Sequence, residues 1–320
     1  MSMPQNSSSF QNLGLEFVRV TEVAAIAASR WIGRGEKELA DKAAVDAMRK
    51  CFNEIDFSGE IVIGEGAKDK SYELYIGEKV GRGSGPELDI AVDPLECTSS
   101  VAFGRPNALT VISVGPKGSL YKAIDSYMQK IAVGPKAKNV INLDASVKEN
   151  IAQVAKALDK EISELTVAIL DREKHQDLIK EVRAAGARTQ LFTDGDIAMA
   201  IASCLDESPV DMLMGIGGST EAVLAATALK CLGGEILARW KPKNEEGVKL
   251  LNNAGITDFE TILTAEDLAK GNDLAFTATG VITGPILEGV VFGANHNITH
   301  TIVMSSNPKM VRFIKTKHNQ

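Results

Sequence analysis

The stretch Leu88-Asp89-Ile90-Ala91-Val92-Asp93-Pro94-Leu95-Glu96-Cys97-Thr98-Ser99-Ser100 decides how this chain reads. Leu88, Ile90 and Val92 alternate with Asp89, Ala91 and Asp93 in the period of a strand, and Pro94 is expected to stop the ladder. Two carboxylates then meet a cluster of hydroxyls, with the Cys97-Thr98-Ser99 amides free to point at an anion. A divalent metal is held beside a phosphate in this way, and hard oxygen donors suit Mg²⁺ or Mn²⁺. An ordinary Asp-Pro turn at a strand end reads the same, so the rest of the chain has to decide.

Outward from this strand, the spacing predicts a helix over Leu13 to Trp31 and, after Gly33-Arg34-Gly35, a second over Glu36 to Asn53. Strand patterns follow at Glu60 to Ile63, Leu88 to Val92 and Ala108 to Val114. From Ser146 helices and strands alternate: Val147 to Leu158, Leu165 to Leu170, His175 to Ala185, Arg188 to Phe192, Asp211 to Gly215 and Ser219 to Leu232. Alternation of this kind argues for right-handed βαβ crossovers and a partly parallel sheet. After Asp273 the pattern returns to strands. The expectation is an α/β fold with mixed sheets: a disordered lead over residues 1–12, an α+β lobe over 13–145 carrying most of the acidic residues singled out below, and an α/β lobe over 146–320 carrying Glu221.

The chain has 320 residues, 44% of them hydrophobic, which suffices for one large core or two fused ones. A net charge of −7 disfavours nucleic acid as a partner. No apolar run approaches the roughly 20 residues of a membrane span, and the Ser-rich start lacks a hydrophobic centre. Cys51, Cys97, Cys204 and Cys231 are widely spaced, so reduced thiols and a cytoplasmic location are expected.

Five acids lie at strand tips and helix ends. Asp41 shares one helix face with Val45, Met48 and Phe52, where a carboxylate ending an apolar stripe needs a cation, and Lys37 one turn earlier is the ordinary partner. Glu65 follows the apolar Ile61-Val62-Ile63 between Gly64 and Gly66, and Asp69 comes four residues later among lysines, either functional or merely solvated. Asp93 and Glu96 flank the proline. Glu221 opens an apolar helix after Gly215-Ile216-Gly217-Gly218, where capping of Ser219 is the plain alternative. One explanation covers all five: an oxygen-ligand site with more than one metal, which hydrolyses phosphate esters by acidifying water and neutralising the leaving oxygen.

Several strings recur together in order: Gly64-Glu65-Gly66 with Asp69, Leu74-Tyr75-Ile76-Gly77-Glu78-Lys79-Val80-Gly81, Asp89 through Glu96, Asp125-Ser126-Tyr127-Met128, Asp194-Gly195-Asp196, Gly215-Ile216-Gly217-Gly218 and Ala278-Thr279-Gly280. From about Leu13 to His318 the chain resembles class II fructose-1,6-bisphosphatases, including the cyanobacterial enzymes that also act on sedoheptulose 1,7-bisphosphate. The resemblance extends to the lithium-sensitive sugar phosphatases with their layered α-β-α-β-α fold. It implies Mn²⁺ or Mg²⁺ on Asp41, Glu65, Asp93, Glu96 and Glu221. Catalytic roles would fall to Thr98, Asp69 and Glu65. Substrate contacts would come from Glu96, Cys97, Thr98, Tyr127, Arg172, Glu173, Lys174, Asp194, Gly195, Asp196 and Gly218. A sugar bisphosphate substrate, a role in gluconeogenesis or carbon fixation and a homo-oligomer are implied as well. Physically, Arg172 and Lys174 suit the phosphate that is kept, and Asp194 and Asp196 suit sugar hydroxyls.

The chain departs from the family at particular positions. Cys97 replaces a glycine, Ala67 an acid, and Asp69-Lys70-Ser71-Tyr72 stands for Asp-Glu-Ala-Pro. Thr220-Glu221-Ala222 stands for Pro-Glu-Gly, and Arg172-Glu173-Lys174-His175 for Arg-Pro-Arg-His. A glycine at position 97 would matter if the backbone there needs positive φ, and a thiol beside cations would be oxidation-sensitive. His175 reads as a helix cap or surface residue, or as a general acid. Another phosphatase of the superfamily, such as one acting on inositol phosphate, and a catalytically silent sugar-phosphate binder are the competing readings.

Overall fold

The computed structural model describes residues 6–66 and 73–319. In chain order, the first elements are α1 (Asn6–Ser29), α2 (Lys37–Phe52), β1 (Ser58–Ile63), β2 (Lys79–Val80), β3 (Glu87–Glu96), α3 (Thr98–Phe103), β4 (Ala108–Pro116), β5 (Tyr127–Val133), α4 (Val147–Leu158), β6 (Thr166–Leu170) and α5 (Gln176–Ala184). They are followed by β7 (Arg188–Phe192), α6 (Asp196–Ala202), β8 (Met212–Gly218), α7 (Ser219–Leu232), β9 (Glu235–Trp240), α8 (Glu245–Asn253), α9 (Ala265–Leu268), β10 (Ala275–Ile282), β11 (Val291–Phe292), β12 (His296–Ser306) and β13 (Lys309–Asn319). The chain groups into two compact units, residues 1–122 with 271–320 and residues 123–270. The dividing points thus differ from the single one expected at 145/146. The reason is pairing: β10 hydrogen-bonds to β4, so the C-terminal strands complete the first sheet.

In the first unit the strand order is β11-β12-β10-β4-β3-β1-β2, with β13 paired to β12. Only β1 and β3 run parallel; the other pairs are antiparallel. Helices α1 and α2 pack on this sheet through Phe17, Phe52 and Phe57, whose rings meet edge to face at 5.3 to 6.0 Å. Helix α1 begins at Asn6, inside the stretch expected to be disordered.

The strand that opened the sequence reading runs longer than expected. Pro94 does not end it; the register with β4 shifts between Asp93 and Glu96, so the proline is absorbed as a bulge and the strand continues to Glu96. Asp89 is buried rather than solvent-facing, its carboxylate accepting from the N–H groups of Gly118 (2.8 Å) and Leu120 (3.2 Å). A central strand buried on both faces does not show the alternation of a half-exposed one.

In the second unit the order is β7-β6-β8-β5-β9. Strands β6, β7 and β8 are parallel, and β5 and β9 antiparallel to their neighbours. Ile151, Val154, Leu165, Val167, Ile179, Val182 and Met212 form its core with the inward residues Ile131 and Val133 of β5. Helix α4 starts where Ser146 and Glu149 form a reciprocal capping box. Helix α7 is apolar around most of its circumference and correspondingly buried.

On β1, the Glu60 carboxylate accepts from Lys79 Nζ (2.6 Å) and Lys122 Nζ (3.1 Å), which holds its pKa down at about 2. A carboxylate with a depressed folded pKa adds stability above its ordinary value of 4.5, lost as pH falls toward 2. The side chain is 24% exposed, so water screens the gain to about 1 kcal/mol or less. Glu60→Gln is expected to lower the urea-unfolding free energy at pH 7 by roughly 0.5–1 kcal/mol, a difference that shrinks steadily below pH 4.5.

Candidate active site

In the first unit, parallel pairing sets the tips of β1 and β3 side by side: Ile63 pairs with Ala91, so Glu65 and Asp93 each lie two residues further along. Gly64 lets the chain approach Leu74, whose carbonyl accepts from Glu65 N–H at 3.0 Å; a Cβ at 64 would lie 2.1 Å from that oxygen. Helix α2 supplies Asp41 on the face that buries Val45, Met48 and Phe52. The expected partner is absent: Lys37 Nζ lies over the Phe103 ring, 5.3 Å from its centroid. Asp41 instead shares a hydrogen bond with Glu65.

Two carboxyl groups in hydrogen-bond contact must share a proton or a cation. Burial, then the Asp41 charge, pushes Glu65 up to about 7, and burial also raises Asp41. Asp93 is partly buried, with Oδ1 accepting from Leu95 N–H at 3.1 Å across the bulge. Glu96 is 4% exposed. Oxygen donors of this kind fit a hard divalent cation, and the protonated pair is what such an ion would displace. Among the described residues no group of three or more His, Cys, Asp or Glu side chains closes around one point. Asp69 and Ala67 lie outside the described residues.

Next to Glu96, Cys97 adopts φ 73° and ψ 50°, the left-handed conformation, immediately before Thr98 begins α3. The bulge and the helix start leave that backbone little choice, and a side chain there is strained where glycine would be at ease.

In the second unit, the C-terminal ends of β6, β7 and β8 lie at one edge of the sheet, and Tyr127 of β5 pairs with Gly218 of β8 at that same edge. Arg172, Glu173 and Lys174 follow β6, Asp194, Gly195 and Asp196 follow β7, and Gly218 ends β8. The structure therefore gathers these sequence-chosen residues at one rim. Lys174 Nζ sits over the Tyr127 ring at 4.4 Å. Desolvation of its ammonium, then the charges of Lys130 and Arg172, hold its pKa below the usual lysine value, although the residue as a whole is exposed.

Glu221 lies in the first turn of α7, but neither it nor Ser219 makes a side-chain cap. Ser219 Oγ donates to Ile124 O and accepts from Ser126 N–H, while Glu221 Oε2 accepts from Thr220 Oγ1 at 2.7 Å. A Cβ at Gly218 would lie 1.9 Å from Glu221 Oε2, so the glycine makes room for the carboxylate. The pKa of Asp125 is raised by burial and then by the Glu221 charge.

His175 occupies the N-cap position of α5, as expected, but its side chain makes no cap there and it is not a surface residue. It is 1% exposed, Nδ1 donates to Leu170 O at 2.7 Å, and Nε2 accepts from Ile216 N–H at 2.8 Å. With both nitrogens engaged by backbone it is a neutral rivet between β6 and β8, where their own pairing runs only from Val167–Met212 to Ala168–Leu213, and a general-acid role falls away. Lys130 went unnoticed in the sequence, although a lysine inside the apolar run Met128 to Val133 was the signal to follow.

Two outcomes follow from the first unit. Because a folded pKa raised from 4.5 to about 7 makes ionisation costly in the fold, metal-free protein should lose stability as pH rises through that range. In EDTA, Glu65→Gln should flatten this slope and stabilise the chain at pH 7.5 by roughly 1–2 kcal/mol; a thermal-melting slope equal to wild type would refute the shared-proton pair. Cys97→Gly should add roughly 1 kcal/mol to urea stability by releasing the left-handed residue.

A sequence profile described as "Bacterial fructose-1,6-bisphosphatase, glpX-encoded" matches residues 11–318. Relatives described as "D-fructose 1,6-bisphosphatase class 2/sedoheptulose 1,7-bisphosphatase" are 42% identical in Synechococcus sp. (strain JA-3-3Ab), over 96% of this chain and 95% of that one. The relative of the same description from Thermosynechococcus vestitus is 40% identical, again over 96% of this chain and 95% of the other. A solved structure described as an extragenic suppressor from Pyrococcus furiosus superposes with a TM-score of only 0.29 at 16% identity, over 59% of this chain and 70% of that one, too slight a likeness to define a fold. With a match running through nearly its whole length, the chain belongs to the glpX-encoded bacterial fructose-1,6-bisphosphatase family.

Proposed function

We propose that this chain hydrolyses the 1-phosphate ester of fructose 1,6-bisphosphate in a metal-dependent reaction, with sedoheptulose 1,7-bisphosphate as a second substrate. Family membership makes it a class II fructose-1,6-bisphosphatase, a phosphoric monoester hydrolase. The observation that carries the metal dependence is the hydrogen-bonded Asp41–Glu65 pair, two buried carboxyls whose arrangement makes chemical sense around a cation. Asp41, Glu65, Asp93 and Glu96 are the proposed ligands in the first unit, and Glu221 keeps the ligand role implied by the resemblance. The chemistry supplied by bound Mg²⁺ or Mn²⁺ is acidification of a water and neutralisation of charge on the departing oxygen.

The chain's own residues take the remaining tasks. The Thr98 hydroxyl orients the attacking water, and Asp69 accepts its proton. Arg172 and Lys174 hold the phosphate that stays, the guanidinium offering paired donors. Asp194 and Asp196 accept hydrogen bonds from sugar hydroxyls, while the Tyr127 ring, 37% exposed, covers the sugar. Kinship with the lithium-sensitive phosphatases, a cytoplasmic location, a place in gluconeogenesis or carbon fixation and a homo-oligomeric state belong to the same proposal and rest on family resemblance. Among the described residues no helix is long and apolar enough to cross a membrane.

Phosphate release should be seen with either bisphosphate in Mg²⁺ or Mn²⁺, stop in EDTA, and be far slower with inositol monophosphate. Asp93→Ala should lower kcat/KM by more than the roughly 10–100-fold typical of losing an outer-shell metal partner, with circular dichroism unchanged. Equal turnover of the inositol ester, or a fully active Asp93→Ala protein, would refute the assignment.

A further inference from the structure

Lys130 presents a physical problem that the functions assigned so far leave unexplained. Its ammonium is 2% exposed, and burying a charge costs several kcal/mol unless partners replace the lost water. It lies mid-way along β5, paired with Gly215 of β8 and Ala238 of β9, on the face opposite the core residues Ile131 and Val133. Two partners hold it, and each comes from the substrate rim. Nζ lies 2.5 Å from Asp196 Oδ2 at the start of α6 and donates to the Gly218 carbonyl at 2.8 Å.

The neighbouring backbone is shaped around this pair. A Cβ at Gly217 would lie 2.0 Å from Asp196 Oδ2 and 2.8 Å from Lys130 Nζ, so the ion pair rests directly against a residue without a side chain. A cavity beside it is lined by Lys130, Asp196, Leu170, Phe192 and Gly215. Asp196 is 12% exposed in its side chain, partly open to a ligand, while one carboxylate oxygen is committed to the lysine.

We propose that Lys130 is a positioning residue for substrate: it fixes the Asp196 carboxylate and the Gly218 turn, and it cancels the Asp196 charge that would otherwise repel the retained phosphate. The inference rests on the bisphosphatase reading given above. Electrostatics require some such device. A carboxylate suited to sugar hydroxyls stands on the same rim as the cations Arg172 and Lys174, and an uncompensated negative charge there would oppose the phosphate they attract. With Lys130 paired to Asp196, the positive field of Arg172 and Lys174 is left for the anion.

The test compares wild type with Lys130→Met in steady-state turnover of fructose 1,6-bisphosphate, and in calorimetric binding of fructose 6-phosphate, which keeps the retained phosphate. KM and the dissociation constant should both rise on the order of 10–100-fold, while kcat stays within about threefold. Asp196→Asn added to the Lys130→Met background should recover part of the lost affinity, because the repelling charge is gone; a purely structural lysine would give no such rescue. If Lys130→Met fails to fold, Lys130→Gln, which keeps hydrogen bonding without charge, carries the same expectation. A folded variant with wild-type KM, a loss confined to kcat, or affinity unrestored by Asp196→Asn would overturn the role of Lys130. Absence of phosphate release by the wild-type protein itself would instead sink the underlying bisphosphatase reading.

Discussion

Two carboxyl groups pressed together inside a fold cannot both keep their charge, and the first unit is organised around that constraint. Asp41 arrives on a helix and Glu65 on a strand tip, from segments that share no local pattern. Bringing them together costs folding free energy when no cation is bound, so selection for stability alone would remove one of them. A cation bound between them would remove that cost, which is the reading proposed for this pair. The same logic extends to Cys97, a strained residue beside a buried Glu96, and to the bulge that swings Asp93 and Glu96 out of regular ladder spacing. Regular structure supplies the frame, and the irregularities at Asp93 to Cys97 coincide with residues proposed for chemistry.

The second unit meets a related demand differently. Its rim carries cations and carboxylates together, several of them held in place by fixed contacts. Lys174 is held over an aromatic face, Asp196 is tied to a buried ammonium, and His175 is locked neutral between two strands. A histidine left free to protonate there would change the field of the rim across the physiological range. Its two backbone partners remove that freedom.

Much of this was legible in the residues. Strong periodicity located α2, α4, α7 and the parallel strands β6 and β7, and the acids at strand tips singled out the rim of each sheet. What was illegible has physical causes. Strand β3 is buried on both faces, so its polar Asp89 gave no hint that backbone N–H groups hold it inside. Strands β5, β9 and β13 carry mixed polarity, with Lys130 inside the first and basic residues along the last, which hides a strand pattern. The bulge at Pro94 depends on β4 accepting an irregular register, a property of the pair and not of either segment. Likewise the true partner of Asp41 was a carboxylate 24 positions away, while the local lysine looked better by spacing.

The insertion of residues 123–270 between β4 and β10 also governs how the polypeptide can assemble as it emerges from the ribosome. The inserted unit carries its own sheet and core, and its full length is synthesised before β10 exists to flank β4. Until those last strands arrive, β4 has β3 on one side and an open edge on the other. A nascent chain therefore holds an unfinished, aggregation-prone border for the time taken to translate an entire neighbouring unit. Closure of the first sheet therefore pairs segments separated by the whole inserted unit, a step of high contact order.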